Sequence, residues 1–233
     1  MPQVSEIISS ALSSGFQALD EHHSKLLLTH YGIPVSPEQA VDSEQEAVAA
    51  AEKIGYPVVL KACGPELAHK SEKGLVHLNI YDAQAVRIAF QALSRDAGSA
   101  LHRTLVQSML DGRREFVAGM FRDQQFGPVI MFGLGGVYTE ALSDIAFGVA
   151  PVSEHEAREM IHEIKGSKLL GTLRGDQPAQ EEKLISILTG LSSLAMEWPQ
   201  IQEIDINPLL IQKDGNPVAV DALVVLAQPG EDV

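Results

Sequence analysis

The chain has 233 residues, and 45% of them are apolar, which is enough for a packed core and argues against a mainly disordered protein. It carries 17 Lys and Arg residues against 31 Asp and Glu residues, so its net charge is -14. This charge repels nucleic acids and anionic membranes. It does not exclude a nucleotide, because a few local cations and a metal ion can hold phosphate against the overall field.

The sequence carries no signal for export or membrane insertion. Its one cysteine, Cys63, excludes a disulfide within the chain, and the first Lys or Arg is Lys25, so the positive start of a signal peptide is missing. No apolar stretch approaches the roughly 20 residues of a membrane helix. We therefore expect a cytoplasmic protein that binds neither nucleic acid nor membrane.

Helices and short strands alternate in the N-terminal half. After a short arm, we predict helices at 20–31, 43–54 and 83–93 and strands at 57–62 and 76–80. Ser43 and Glu46 have the spacing of a capping box, and Gly55 marks the end of that helix. The loop 63–75 between the two strands is long, and such loops often carry function.

The C-terminal half contains more strands. We predict two strands around an Asp111-Gly112 turn, then further strands at 128–134, 146–150, 203–212 and 217–226, with helices at 153–164 and 179–198. This number of hairpins favours an α+β fold over a doubly wound parallel sheet. A boundary between two lobes is expected near 105–109.

Several familiar motifs are missing. The sequence contains no G-x-G-x-x-G, no P-loop, no Cys/His cluster and no G-x-S-x-G. A nucleotide would therefore have to be bound by other means.

The last predicted hairpin carries polar residues inside a strand. Glu203, Asp205 and Asn207 alternate with two isoleucines, so they share one face of the strand. If the hairpin is centred on Asp214, Asn207 lies directly opposite Asp221, and two oxygen ligands suited to Mg²⁺ come together. A two-residue Asp-Gly turn would instead put Asp221 on the opposite face. A Mg²⁺ site therefore predicts a loop of odd length, and a strand with one solvated face is the alternative.

Three further features could bind phosphate. Lys61 closes the apolar run PVVLK, and a cation at a strand end can reach a phosphate, although a lysine there can also extend into solvent. His69 lies in the long loop with lysines nearby and could take a phosphoryl group, or could be an ordinary surface residue. The glycines of 133–136 could bring backbone N–H groups close to a phosphate, or form a turn without ligand.

Taken in order, the segments PVVLK, HKSEKG, LVQSMLDGRREF, FGPVIMFGLGGVYTE, KLLGTLRG, EIDINPLL and VAVDAL resemble the ATP-grasp β chain of NDP-forming acyl-CoA synthetases. The resemblance covers about residues 20 to 227, and the succinyl-CoA synthetase β chain is similar at a greater distance. It implies an ATP-grasp fold, in which two α+β lobes hold the nucleotide between them. The expected divisions are an N-terminal arm at 1–19, lobes at 20–105 and 106–228, and a tail at 229–233.

The resemblance also implies roles for individual residues. Lys61 matches the lysine that contacts nucleotide phosphates, and His69 matches the phosphate-carrying histidine of the β chain. Asn207 and Asp221 match the Mg²⁺ ligands. The remaining matches are at the nucleotide: the inter-lobe hinge beside the adenine, the glutamate that follows it and the glycine-rich turn, namely Gln107, Ser108, Met109, Leu110, Glu115, Gly135 and Gly136.

The implied reaction is acyl-CoA + ADP + phosphate to acid + CoA + ATP, with ATP or ADP and Mg²⁺ as cofactors. The resemblance implies a CoA-binding α subunit or domain as partner in a hetero-oligomer, and no synthetase activity without it. Two alternatives remain at this point: a nucleotide-sensing module of a protein acetyltransferase or other assembly, and a carboxylate ligase that uses no phosphohistidine.

Overall fold

The computed structural model describes residues 3–64, 67, 74–136 and 144–227. In chain order, its elements are α1 (Val4–Ser13), α2 (Glu21–His30), β1 (Glu38–Val41), α3 (Glu44–Ile54), β2 (Val58–Cys63), β3 (Val76–Ile80), α4 (Ala83–Ala97), β4 (Arg103–Ser108), β5 (Gly112–Asp123), β6 (Gly127–Leu134), β7 (Ile145–Val149), α5 (Glu154–Glu163), α6 (Glu181–Glu197), β8 (Ile201–Gln212), β9 (Pro217–Ala219) and β10 (Ala222–Leu226). Short 3₁₀ helices occupy Gly98–Ala100 and Lys165–Leu170. The predicted α+β class is confirmed.

The chain divides into two compact units. The smaller unit contains Asp20–His22 and Ser36–Leu110, and the larger unit contains Met1–Leu19, His23–Val35 and Asp111–Val233. These limits differ from the predicted lobes, because residues 23–35 join the larger unit and 106–110 stay with the smaller one. Residues 1–19 are also more than an arm, since the apolar face of α1 is buried in the core of the larger unit.

The smaller unit is built on a four-stranded antiparallel sheet in the order β1-β4-β2-β3. Helices α3 and α4 cover one face, where Val58, Leu60 and Ala62 of β2 join the core. The Ser43 hydroxyl accepts the N–H of Glu46 at 3.3 Å, and Gly55 ends the helix with a φ of 94°. The predicted cap and stop of α3 are therefore confirmed. The capping box is not completed, because Oε2 of Glu46 accepts the N–H of Asp42 at 2.9 Å and not that of Ser43.

The larger unit is built on an antiparallel sheet in the order β10-β8-β5-β6-β7, with β9 also pairing with β8. Helices α5 and α6 pack on one face of it, over a core that includes the stacked rings of Phe116 and Phe132. In the described part of the chain, no helix combines the length and apolar character that a membrane crossing needs.

One predicted hairpin is wrong. Strands β4 and β5 lie on either side of Asp111, with Gly112 as the first residue of β5, but β4 pairs with β1 and β2 whereas β5 pairs with β6 and β8. The Asp-Gly pair therefore lies at the passage from one unit to the other. A turn signal reports local backbone preference, and the pairing of the flanking strands is decided by their long-range partners.

Candidate functional site

The register of the last strands brings Asn207 opposite Asp221. Leu209 of β8 faces Ala219 of β9, and Ile206 of β8 faces Ala222 of β10. The two pairings have the same register, and the Asn207 and Asp221 positions lie between them. The N–H of Val220 donates to the carbonyl of Pro208 at 3.0 Å, which holds the strands together at this point.

The hairpin loop has the odd length that this register requires. The N–H of Gln212 donates to the carbonyl of Asn216 at 3.0 Å, so Lys213, Asp214 and Gly215 form a three-residue loop. Gly215 has a φ of 82°, the left-handed conformation that such loops place on glycine. The prediction of an odd-length loop centred on Asp214 is confirmed.

The strand is interrupted where the two residues meet. Between Ile206 and Leu209, Asn207 and Pro208 oppose the single residue Val117 of β5, which is a β-bulge. On the other side, the long strand predicted for 217–226 is divided into β9 and β10 by residues 220 and 221. Bulges redirect side chains, and both Asn207 and Asp221 lie at these irregular positions.

Acidic groups crowd around this position. Ile204 and Ile206 are buried in the core, whereas Glu203 and Asn207 are exposed on the alternating face, as the sequence predicts. Burial, and then the charges of Glu203 and Asp221, raise the pKa of Asp205 to about 6. A cation at this position would relieve that crowding.

The donor set suits magnesium better than zinc. Within the described ranges, no group of three or more His, Cys, Asp and Glu side chains is arranged to hold a metal ion. Magnesium is usually held by one or two protein oxygens together with waters and substrate phosphates. The amide oxygen of Asn207 and the carboxylate of Asp221 fit that pattern.

Lys61 lies in the smaller unit, on the face of the sheet that α3 and α4 leave uncovered. It is inside β2 and buried, not at the strand end as the sequence suggested. Its Nζ lies 2.6 Å from Oε1 of Glu21 in the first turn of α2. The side chains are only 6% and 1% exposed, so this is a buried ion pair.

The predicted hinge is firmly attached to the smaller unit. Gln107 is buried and pairs with Val59 of β2, beside the Lys61 position. The N–H of Ser108 donates to the carbonyl of Pro37 at 2.9 Å, and the N–H of Met109 donates to that of Pro57 at 3.1 Å. The smaller unit ends at Leu110, and the role of 107–110 as a hinge beside the adenine stays a prediction.

Three of the predicted nucleotide residues line one cavity of about 430 Å³ in the larger unit. Its walls are formed by Arg113, Arg114, Glu115, Leu134, Gly135, Gly136, Leu169 and Leu173. A Cβ on Gly135 would lie 2.8 Å from the backbone of Phe116, and one on Gly136 would lie 2.9 Å from Oε2 of Glu115. Gly135 is therefore needed for the close approach of the chain to β5, whereas Gly136 is favoured by its φ of 72°, and both leave bare backbone in the cavity wall.

Arg114 holds another wall of the cavity in place. Its guanidinium is buried, and Nη1 donates to the carbonyls of Gly171 at 3.0 Å and Leu169 at 3.4 Å. Nη2 donates to the carbonyls of Gln177 at 2.7 Å and Gln212 at 3.3 Å. The planar fork of arginine thus ties the segment 169–177 to β8.

The sequence analysis did not identify two residues of the candidate site, Glu21 and Arg114. Glu21 is 40 positions from Lys61, and nothing in its helix marks it as the partner of a strand lysine. Arg114 follows another arginine, and only its position between alternating buried residues of β5 could have shown that it points inward. His69 lies outside the described residues, so its proposed role stays a prediction.

A chain with two α+β units built on antiparallel sheets, a buried strand lysine in one and an Asn/Asp pair in the other, has the features of an ATP-grasp domain. The ATP-grasp domain family matches residues 10–226. The chain is 41% identical over 226 residues to the β subunit of the ADP-forming acetate–CoA ligase I of Pyrococcus furiosus, covering 95% of this chain and 97% of that subunit. It belongs to the β-subunit family of ADP-forming acyl-CoA synthetases.

Single-chain relatives are longer. The chain is 40% identical over 232 residues to the ADP-forming acetate–CoA ligase I of Archaeoglobus fulgidus, but that match covers 98% of this chain and 33% of the relative. A succinate–CoA ligase β subunit from Halorubrum lacusprofundi matches at 28% identity over 221 residues, which confirms the distant resemblance seen in the sequence.

A solved structure agrees with the fold. The dinucleotide-forming acetyl-coenzyme A synthetase 1 of Candidatus Korarchaeum cryptofilum, in complex with coenzyme A, Ca-AMPCP and HgCl+, superimposes with a TM-score of 0.91 at 36% identity. The match covers 97% of this chain and all of that one. The ATP-grasp fold, the ligase family and the β-subunit assignment predicted from the sequence are confirmed.

Replacing Arg114 with lysine tests its part in building the cavity. Lysine keeps the charge but cannot reach four carbonyls at once, so we expect Arg114→Lys to lower the free energy of unfolding by about 2–4 kcal/mol. The measurement is chemical denaturation of wild type and variant. Arg113→Lys, at the exposed neighbouring position, is the control and should change stability by less than about 0.5 kcal/mol. Equal stability of the two variants would contradict this role for Arg114.

Proposed function

We propose that this chain is the nucleotide-binding subunit of an ADP-forming acyl-CoA synthetase, which passes a phosphoryl group between His69 and ADP. The observation that carries the proposal is the register of β8 against β9 and β10, which sets Asn207 opposite Asp221 in a chain of this family. The full reaction would convert acyl-CoA, ADP and phosphate to acid, CoA and ATP.

Each residue has a separate task in this proposal. Asn207 and Asp221 would hold Mg²⁺, and when bound the ion would neutralise charge on the phosphate oxygens of the nucleotide. Lys61 would contact the nucleotide phosphates with its ammonium group. Gln107 to Leu110 would lie beside the adenine, and Glu115 with Gly135 and Gly136 would bind elsewhere on the nucleotide. The cavity that joins the last three residues supports this assignment.

The transfer itself would be a substitution at phosphorus. A terminal phosphate oxygen of ADP would form a bond to the phosphorus carried by His69, while the bond from that phosphorus to the ring nitrogen breaks and the nitrogen keeps its electron pair. Most of the protein's contribution would be positioning and charge neutralisation, as is general for phosphoryl transfer. Binding and transfer would thus be separable by mutation.

A partner would complete the enzyme. The chain spans almost all of the Pyrococcus β subunit but about a third of the Archaeoglobus single-chain ligase, so that ligase carries much additional sequence. We propose that a CoA-binding α subunit or domain supplies the acyl and CoA sites, forms a hetero-oligomer with this chain in the cytoplasm, and is required for synthetase activity.

The metal pair can be tested by calorimetry with ADP. We expect Asp221→Asn to weaken Mg-ADP binding by about tenfold or more, because the carboxylate charge that holds the ion is lost while its hydrogen-bond acceptor for Ala222 is kept. With EDTA in place of Mg²⁺, wild type and variant should bind ADP alike. Asp96→Asn removes the same charge from the exposed end of α4 and is the control. Unchanged Mg-ADP affinity in Asp221→Asn would rule out the metal pair.

The phosphate carrier can be tested by labelling. Incubation of the chain with Mg-ATP labelled in its γ-phosphate should give an acid-labile, alkali-stable protein phosphate. His69→Ala should abolish the label, and His155→Ala, at an exposed position of α5, should retain it. A label that survives in His69→Ala would contradict the proposed carrier. Nucleotide binding without any label would favour a nucleotide sensor or a ligase that uses no phosphohistidine.

A further inference from the structure

The buried pair of Lys61 and Glu21 calls for an explanation beyond stability. Removing two charges from water costs more than their attraction returns in many proteins, and apolar replacements are often as stable or more so. Here the ion pair is formed by the fourth residue of β2 and the first residue of α2, with both side chains almost completely buried. The pair is therefore better explained by what it does to Lys61.

Glu21 limits the positions that the Lys61 ammonium can take. A lysine side chain that is not held in place populates many rotamers, and a ligand that needs it in one position must overcome that entropy on binding. The 2.6 Å contact with Glu21 restricts the positions of this side chain in the folded protein. Ordering a binding group in advance strengthens binding without a new contact to the ligand.

The contact with Glu21 also keeps Lys61 suited to phosphate. The carboxylate of Glu21 lies against the Lys61 ammonium as its counter-charge. An ammonium has three N–H donors, so the contact with a carboxylate does not by itself prevent a bond to a phosphate oxygen. Glu21 can thus hold Lys61 in place while Lys61 contacts a ligand.

We propose that Glu21 is a positioning residue, which orders the Lys61 ammonium for the phosphates of the bound nucleotide. This inference rests on the proposed function, because it assumes that Lys61 contacts those phosphates. Glu21 lies outside the binding motifs named in the sequence, so its effect on nucleotide binding would be indirect, through Lys61.

The test is a double-mutant cycle read out as Mg-ADP affinity. We expect Lys61→Met and Glu21→Gln each to weaken Mg-ADP binding by about tenfold or more, since a charge-assisted hydrogen bond is worth at least that factor. The double variant should bind Mg-ADP as weakly as Lys61→Met alone, because the proposed effect of Glu21 on binding acts through the Lys61 ammonium. Glu21→Asp keeps the charge but moves the carboxylate back by one methylene, so it should also weaken Mg-ADP binding. This variant tests the positioning role of Glu21 if Glu21→Gln does not fold.

A variant that only destabilises the smaller unit provides the control. Val86→Ala opens a space in the core on the helix-covered face of the same sheet. It should lower the melting temperature and leave Mg-ADP affinity within about twofold of wild type. If Glu21→Gln behaves like Val86→Ala, or binds Mg-ADP as tightly as wild type, Glu21 is structural only and the inference is overturned.

The two proposals fail in different ways. If Lys61→Met itself binds Mg-ADP normally, the phosphate contact of Lys61 in the proposed function is wrong. If Lys61→Met weakens binding and Glu21→Gln adds a further, independent loss, the lysine role stands and the positioning role of Glu21 is rejected.

Discussion

The strand register around the last hairpin is the constraint on which the candidate site depends. Side chains alternate along a strand, so a slip of one residue would turn Asn207 and Asp221 to opposite faces and would move Ile204 and Ile206 out of the core. It would also bury carboxylates without partners, which is costly. The three-residue loop and the buried isoleucines therefore specify the same register from its two ends.

The two units use a common arrangement. Each packs helices on one face of an antiparallel sheet and keeps polar groups on strands whose apolar residues are buried on the other side. In the smaller unit the result is a buried ammonium with its carboxylate, and in the larger unit it is a group of carboxylate and amide oxygens. Groups placed on sheets are held more rigidly than groups on loops, which suits the positioning that phosphoryl transfer needs.

Predictions from the sequence were correct where the residues that set the local pattern are also the residues that the core buries or the helix end requires. The alternation of Glu203, Ile204, Asp205 and Ile206 predicted the faces of β8, and the capping residue Ser43 predicted the start of α3. Both features are local, and the core preserves them. The register of the hairpin could not be read from the pattern alone, because two loop lengths were possible. The odd length was expected only because it permits a Mg²⁺ site.

The failures have a common physical cause. The Asp111-Gly112 pair predicted a hairpin because turn propensity is local, whereas β4 and β5 take their partners from elsewhere in the chain. The buried face of α1 was missed although Val4, Ile7 and Ile8 have helical spacing, because the core that buries them is formed by elements far along the chain. Glu21 could not be linked to Lys61, because the contact joins a helix to a strand 40 residues away.

Crystals of the chain grown with Mn²⁺ and ADP, measured at the manganese absorption edge, test the central claim most directly. The account predicts an anomalous peak at about 2.0–2.3 Å from both the Asn207 amide oxygen and an Asp221 carboxylate oxygen, the coordination range of a small divalent ion. A well-occupied manganese that contacts the nucleotide phosphates but neither of these two side chains would contradict it.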